Sequence, residues 1–125
     1  MVKLKTVLVV DDQENICNLV KASLENLWPS LKVVTCPDST RAMEKVKGLL
    51  PNLVILDVQM PEVSGSDIAQ AMKEHPDTRA IPIIFLTGIL TPEEARARAD
   101  RGGEHFLAKP INFGELTAAV EKYIR

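Results

Sequence analysis

Short, almost uninterrupted apolar runs alternate along this chain with longer stretches in which apolar residues recur at helical spacing. The short runs cover residues 4–10, 31–36, 53–57, 81–87 and 105–108. At about five or six residues, and mostly without polar alternation, they are typical of strands buried on both faces. The stretches with helical spacing cover residues 13–28, 38–50, 64–75, 91–101 and 112–125. The pattern therefore predicts five strands, each followed by a helix.

Such an order of elements restricts the fold. Parallel strands joined by right-handed helical crossovers form one sheet with helices on both faces. We therefore expect an α/β fold, a three-layer doubly wound parallel sheet built from five βα units. The chain contains no internal repeat, low-complexity segment or linker, and is expected to form a single domain over residues 1–125.

Several helix starts carry capping patterns. Asp11 and Glu14 have the spacing of a capping box at the first helix, and Asn112 with Glu115 has it at the last. The run Thr91-Pro92-Glu93-Glu94 combines a capping residue, a proline at the first helical position and a glutamate at the third. The helix predicted from Thr91 offers mostly Ala and charged residues for burial, so we expect it to be the most weakly packed.

Composition narrows the classes of function. The 125 residues carry a formal net charge of −2, so no general attraction to nucleic acid or to a membrane surface is expected. The N-terminus does not resemble a signal peptide, and no apolar run is long enough to span a bilayer. Cys17 and Cys36 lie in apolar surroundings without CxxC spacing, which favours two reduced packing thiols in a cytoplasmic protein.

Polar residues that could perform chemistry stand where the predicted strands end. They are Asp11, Asp12, Asp57, Thr87 and Lys109. In open α/β sheets functional groups gather beyond the carboxyl ends of the strands, so these side chains are expected to converge. Three neighbouring carboxylates need a cation, and hard oxygen ligands suit Mg²⁺.

A carboxylate nucleophile, a metal, a lysine and a hydroxyl donor suit phosphoryl transfer. Asp57 is the best candidate for the nucleophile because it stands alone at its strand end. Taken singly, each residue has an ordinary structural alternative. Asp11 and Asp12 can cap a helix, Asp57 a turn, Thr87 can simply end a strand, and Lys109 can be solvated.

These residues resemble the receiver domain of two-component response regulators, including the chemotaxis regulators, and the resemblance covers essentially the whole chain. It is carried by Val9-Val10-Asp11-Asp12, Asp57-x-x-Met60-Pro61-x-x-x-Gly65, Thr87-Gly88 and Lys109-Pro110. The resemblance implies a flavodoxin-like sheet with strand order 2-1-3-4-5. It also implies that Asp57 accepts a phosphoryl group from a phosphohistidine on a sensor histidine kinase or phosphotransfer protein, or from a small phosphodonor.

The same resemblance assigns roles to the remaining site residues. Asp12, Asp57 and the backbone carbonyl of Gln59 would bind Mg²⁺ directly, with Mn²⁺ as an alternative, and Asp11 would act through water. Lys109 would pair with the phosphoryl group, and its bond to Pro110 would be cis.

The family also implies a conformational switch. Thr87 would move towards the phosphoryl oxygen and Phe106 would turn inward. The face made by the fourth helix, the fifth strand and the last helix would then change for a downstream effector. The protein would be a signalling domain rather than an enzyme, a monomer or weak dimer without direct contact to nucleic acid or membrane.

Three alternatives remain at this point. A flavodoxin-like cofactor module would need amides where Asp11 and Asp12 would repel phosphate. A phosphatase with an Asp nucleophile would need an Asp-x-Asp pattern, whereas these two acids are adjacent. A degenerate receiver acting only as a protein-interaction scaffold would not need the complete set of polar residues.

Overall fold

A five-stranded parallel sheet is the middle layer of the computed structural model, which describes residues 5–91, 93–94 and 105–124. Its strands are β1 (Thr6–Val10), β2 (Lys32–Cys36), β3 (Leu53–Asp57), β4 (Ile83–Thr87) and β5 (His105–Ala108). They lie in the order β2-β1-β3-β4-β5, and every neighbouring pair is parallel. The expected strand order 2-1-3-4-5 is thereby confirmed.

Four helices in the described part of the chain cover this sheet. They are α1 (Glu14–Leu27), α2 (Ala42–Leu49), α3 (Gly65–Lys73) and α4 (Phe113–Ile124). A single 3₁₀ turn, Ser39–Arg41, leads into α2. The helix predicted over 91–101 lies mainly outside the described residues, and so does its expected weak packing.

Strand residues alternate between two separate hydrophobic clusters, one on each face of the sheet. Val7 and Val9 of β1 belong to the cluster that α1 and α4 cover. Leu8 and Val10 belong to the other, which α2 and α3 cover. All five residues of β3 are buried, as expected for a central strand with helices on both sides. The three-layer architecture follows from this double burial.

Two of the three predicted capping patterns are present. Thr91 and Glu94 bond reciprocally. The N–H of Thr91 donates to Glu94 Oε1 at 3.0 Å, and the N–H of Glu94 donates to Thr91 Oγ1 at 3.2 Å. Asn112 Oδ1 accepts the N–H of Glu115 at 3.0 Å.

The capping box predicted for Asp11 and Glu14 is wrong. The N-cap residue of α1 is Gln13, and no side chain caps that helix. Asp11 Oδ1 instead accepts the N–H of Gln13 at 2.9 Å. The carboxylate is fully buried at the end of the sheet and its second oxygen faces Lys109, so it does not reach the first turn of the helix.

The outer edge of β2 is covered by side chains of α1. Glu25 Oε2 accepts the N–H of Val33 at 3.1 Å, and Lys21 Nζ donates to the carbonyl of the same residue at 2.7 Å. Lys21 and Glu25 also contact each other at 3.3 Å. Because an edge strand otherwise presents unpaired backbone groups, this ion pair prevents Val33 from serving as a template for another strand.

Replacing Glu25 with Ala is expected to lower the free energy of unfolding by about 1 kcal/mol. The Val33 N–H bond, followed by Lys21, holds the pKa of Glu25 below its usual range. The stabilisation is therefore present above the ordinary pKa of 4.5 and is lost as the pH falls through the lower folded-state value. Urea unfolding at neutral and acidic pH measures it. Glu44→Ala changes an exposed residue of α2 and is the control. An equal loss of unfolding free energy in that variant would contradict the stabilising role of the Glu25 contacts.

Candidate functional site

Asp57 is the last residue of β3 and is buried at the carboxyl edge of the sheet, with 4% of its surface exposed. Its Oδ1 accepts the N–H of Gln59 at 3.2 Å. The next residue, Val58, still donates to the carbonyl of Leu86 on β4, which keeps the chain aligned until the carboxylate has left the strand. The sheet therefore delivers one carboxylate to a defined position.

Asp11 and Asp12 join this carboxylate from the end of β1, the neighbour of β3. One oxygen from each of Asp11, Asp12 and Asp57 lies within 4.8 Å of the other two. Asp11 is buried whereas Asp12 is exposed. Within the described part of the chain, nothing donates a hydrogen bond to the buried Oδ2 of Asp11. The three carboxylates together offer hard oxygen ligands, which fit a divalent cation such as Mg²⁺.

Lys109, which follows β5, brings a positively charged ammonium group to the site. Its Nζ lies 2.9 Å from Oδ2 of Asp11, as an ion pair outside hydrogen-bond geometry, and 3.3 Å from Oδ2 of Asp57. Burial lowers the pKa of Lys109, but the contacts with Asp11 and then Asp57 outweigh it, so the pKa is raised overall. The Lys109–Pro110 peptide bond is cis, as the resemblance implied.

The pKa of Asp57 is raised from 3.8 to about 6. Burial is the main cause, and the negative charge of Asp11 adds to it, while Lys109 and the Gln59 N–H act in the opposite direction. Asp57 is therefore a more basic carboxylate than an exposed one, yet it is still mainly ionised at neutral pH.

Thr87 ends β4 at the same edge and is buried. Its Oγ1 accepts the N–H of Ile89 at 3.1 Å, which leaves the hydroxyl proton available for donation. The carbonyl of Thr87 accepts the N–H of Lys109 at 2.7 Å. A Cβ added at the next residue, Gly88, would meet nothing within 4 Å.

Phe106 lies on β5 opposite Phe85 of β4, and the two rings are stacked with centroids 5.0 Å apart at 19°. Phe106 packs, partly buried, against the cluster beneath α2 and α3. Since Thr87 is two residues beyond Phe85 in the same strand, both point to the same face of the sheet. Thr87 and Phe85 are thus neighbours on the face where Phe85 stacks on Phe106, the second residue expected to form a switch.

Gly65 explains the spacing of the motif after Asp57. Its N–H donates to the carbonyl of Val58 at 2.9 Å, and a Cβ at this position would lie 2.1 Å from the carbonyl oxygen of Asp57. Ser64 caps α3 by accepting the N–H of Asp67 at 3.1 Å. The start of α3 therefore packs directly against the backbone that carries the central carboxylate.

Two residues near the site were not predicted from the sequence. Ser39 is buried and its Oγ donates to the carbonyl of Pro61 at 2.9 Å, which ties the turn before α2 to the loop after β3. Gln13 Oε1 accepts a hydrogen bond from Lys109 Nζ at 3.4 Å. Neither contact has a local sequence signal, because each joins segments that are distant along the chain.

The fold and the site together define a class of flavodoxin-like α/β domain. Its members carry a lysine and an acidic cluster, here Asp11, Asp12 and Asp57, at the carboxyl edge of the sheet. The chain belongs to the response regulator receiver domain family, whose model matches residues 7–121. It is thus a signalling domain of two-component systems.

Individual relatives agree with this assignment. The response regulator PleD of Caulobacter vibrioides is 32% identical over 119 residues, which are 95% of this chain and 26% of PleD. An uncharacterized 14.6 kDa protein of Leptolyngbya boryana is 31% identical over 117 residues, 94% of this chain and 88% of that protein. The chain thus spans about a quarter of one relative's length and most of the other's.

Solved structures show the same architecture. Chemotaxis protein CheY4 of Vibrio cholerae superimposes with a TM-score of 0.81 at 26% identity, covering 98% of this chain and all (100%) of that one. The receiver domain of a DNA-binding response regulator from Colwellia psychrerythraea gives 0.81 at 27% identity, covering 94% and 96%. No helix within the described ranges has the length and apolar character needed to cross a membrane.

Replacing Gly65 with Ala is expected to lower the free energy of unfolding by about 2 kcal/mol or more, because the new methyl group must displace the Asp57 backbone. Gly48→Ala in α2 is the matched control, since a Cβ there meets nothing within 4 Å. It should be neutral or stabilising by up to about 1 kcal/mol. Urea unfolding of both variants tests this. Equal stabilities would show that the close approach at Gly65 is not restrictive.

Asp57→Asn is expected to raise the free energy of unfolding at pH 7 by about 1–2 kcal/mol without divalent cations. The raised pKa means that Asp57 stabilises the fold fully below 3.8 and that this stability is lost as the pH rises through about 6. The advantage of the variant should therefore shrink as the pH is lowered towards about 4. Denaturation at several pH values measures it, with the exposed Asp77→Asn as control. A variant less stable than wild type at pH 7 would refute this expectation.

Proposed function

We propose that this chain is a phospho-accepting receiver domain in which Asp57 takes a phosphoryl group from a histidine kinase, a phosphotransfer protein or a small phosphodonor. The observation that carries the proposal is the contact of a buried carboxylate with the Lys109 ammonium, at 3.3 Å, beside two further acids. A structural ion pair alone would not need the acids of β1 at the same place. The family membership supports the same function.

In the proposed reaction, an Asp57 carboxylate oxygen attacks the phosphorus of the donor. The new P–O bond forms as the P–N bond to the donor histidine breaks, and the imidazole nitrogen retains the electron pair. With a small acyl phosphate a P–O bond breaks instead, and the leaving carboxylate takes the electrons. Lys109 neutralises phosphoryl oxygens, and the hydroxyl of Thr87 donates one hydrogen bond to them.

The acidic cluster is also proposed to hold the metal. Asp12 and Asp57, together with the backbone carbonyl of Gln59, would bind Mg²⁺ or Mn²⁺ directly, and Asp11 would act through water. The bound ion would supply positive charge beside the phosphoryl oxygens. Support comes from the grouping of the three carboxylates within 4.8 Å, two of them buried at the end of the sheet.

Signalling would pass through Thr87 and Phe106 to the face that includes β5 and α4. The hydrogen bond from the Lys109 N–H to the Thr87 carbonyl and the stacking of Phe85 on Phe106 support this coupling. An effector protein or output domain would read the state of this face. The chain would act as one domain, as a monomer or weak dimer in the cytoplasm. It would not be an enzyme in its own right and would not contact nucleic acid directly.

A degenerate receiver that serves only as a scaffold is not supported, since Asp11, Asp57 and Lys109 are not merely present but in contact. Neither the cofactor module nor the phosphatase finds support in the family match.

Incubation with acetyl phosphate and Mg²⁺ should add the mass of one phosphoryl group to the intact protein. Asp57→Asn should remove this addition, because the amide is not a nucleophile. Asp77→Asn, which changes an exposed carboxylate in the connection between α3 and β4, should retain it. Intact mass spectrometry measures all three proteins under identical conditions. Equal uptake by wild type and Asp57→Asn, or none by wild type, would refute the assignment.

A further inference from the structure

Gln13 lies between Asp11-Asp12 and the first turn of α1, and both its N–H and its carbonyl are hydrogen-bonded. Its N–H donates to Asp11 Oδ1 at 2.9 Å. Its carbonyl accepts the N–H groups of Ile16 and Cys17 at 3.0 and 3.2 Å. The side chain therefore starts from a well-defined position next to the acidic cluster, although it is itself exposed.

The amide of Gln13 completes the environment of the Lys109 ammonium. A lysine ammonium has three N–H donors. Three oxygens from three residues surround this one. Asp57 Oδ2 at 3.3 Å and Gln13 Oε1 at 3.4 Å accept hydrogen bonds from it, and Asp11 Oδ2 at 2.9 Å is an ion-pair contact. Because the ammonium can only donate, the oxygen of the amide must be the atom that faces it.

The three oxygens differ in charge. Those of Asp11 and Asp57 are carboxylate oxygens, which hold an ammonium strongly, whereas the Gln13 oxygen is neutral and its contact is the longest. A phosphoryl group on Asp57 brings new anionic oxygens, towards which the ammonium must turn. The neutral contact is the one that can be exchanged most easily for a phosphoryl oxygen.

We propose that Gln13 is a positioning residue of the phosphoryl-acceptor site, whose side-chain amide orients the Lys109 ammonium before transfer and releases it to the phosphoryl group. This role rests on the proposed function of Asp57. Gln13 contacts Lys109 rather than the reacting atoms, so its effect is transmitted through the lysine. The effect should be modest, since the contact is long and exposed.

Gln13→Met removes the amide while keeping the length of the side chain. The phosphorylation rate with acetyl phosphate and Mg²⁺ is expected to fall about threefold, and phosphate should still add to Asp57. The matched control is Gln70→Met, the same exchange at an exposed position of α3, which should leave the rate unchanged. A Gln13→Met rate equal to that of wild type would overturn the role of Gln13.

A double-mutant cycle separates action through Lys109 from a general structural effect. If Gln13 acts by orienting the lysine, Gln13→Met should have no further effect on the rate in a Lys109→Ala background. The same threefold loss in that background would overturn the inference. Failure of the wild-type protein to take up phosphate would instead refute the proposed function itself, so the two failures are distinguishable.

The unphosphorylated protein offers a second measurement. NMR relaxation of the ε-methylene of Lys109 should show a lower order parameter in Gln13→Met than in wild type, and no change in Gln70→Met. An unchanged Lys109 order parameter in Gln13→Met would overturn the proposed orientation directly, whatever the phosphorylation rates are.

Discussion

The ion-pair cluster around the Lys109 ammonium is the interaction on which the carboxyl edge of this protein depends. Asp11 and Asp57 are both buried at neighbouring strand ends, where two negative charges repel and lack water. Lys109 compensates both from beyond β5. Its main chain stays bonded to Thr87 at the end of β4, so the side chain crosses the edge of the sheet towards β3 and β1. The strand order makes this reach possible.

Buried charges at the carboxyl edge lower the stability of the fold, and the apolar side chains of the sheet offset this cost. Each interior strand contributes apolar side chains to two clusters, so the buried charges are a small polar end of a largely apolar body. Gly65 shows how tightly the polar end is constructed, because α3 starts in contact with the Asp57 backbone. The closely packed backbone at Asp57 and an excess of negative charge therefore occur at the same place, as in many functional sites.

The sequence predicted the elements well because continuous apolar runs and capping patterns are local signals. Five strands and the capping patterns at Thr91 and Asn112 followed from spacing alone. The strand order came only from the family resemblance, since an apolar run does not specify its neighbours. The capping box at Asp11 was wrong because a distant partner, Lys109, competes for the carboxylate. The contact of Gln13 with Lys109 could not be predicted for the same reason, since 96 positions separate the two residues.

The aromatic pair beneath Thr87 sets the energy scale of the proposed switch. A signal from the carboxyl edge reaches β5 only if Phe106 has two discrete arrangements. Stacking on Phe85 favours the one in this structure, and such a pair contributes about 1 kcal/mol beyond its burial. In the proposed switch, a bias of this size would leave an alternative arrangement populated at a level of several per cent or more. Because one further hydrogen bond at Thr87 is of comparable strength, it would be sufficient to shift the balance between the two arrangements.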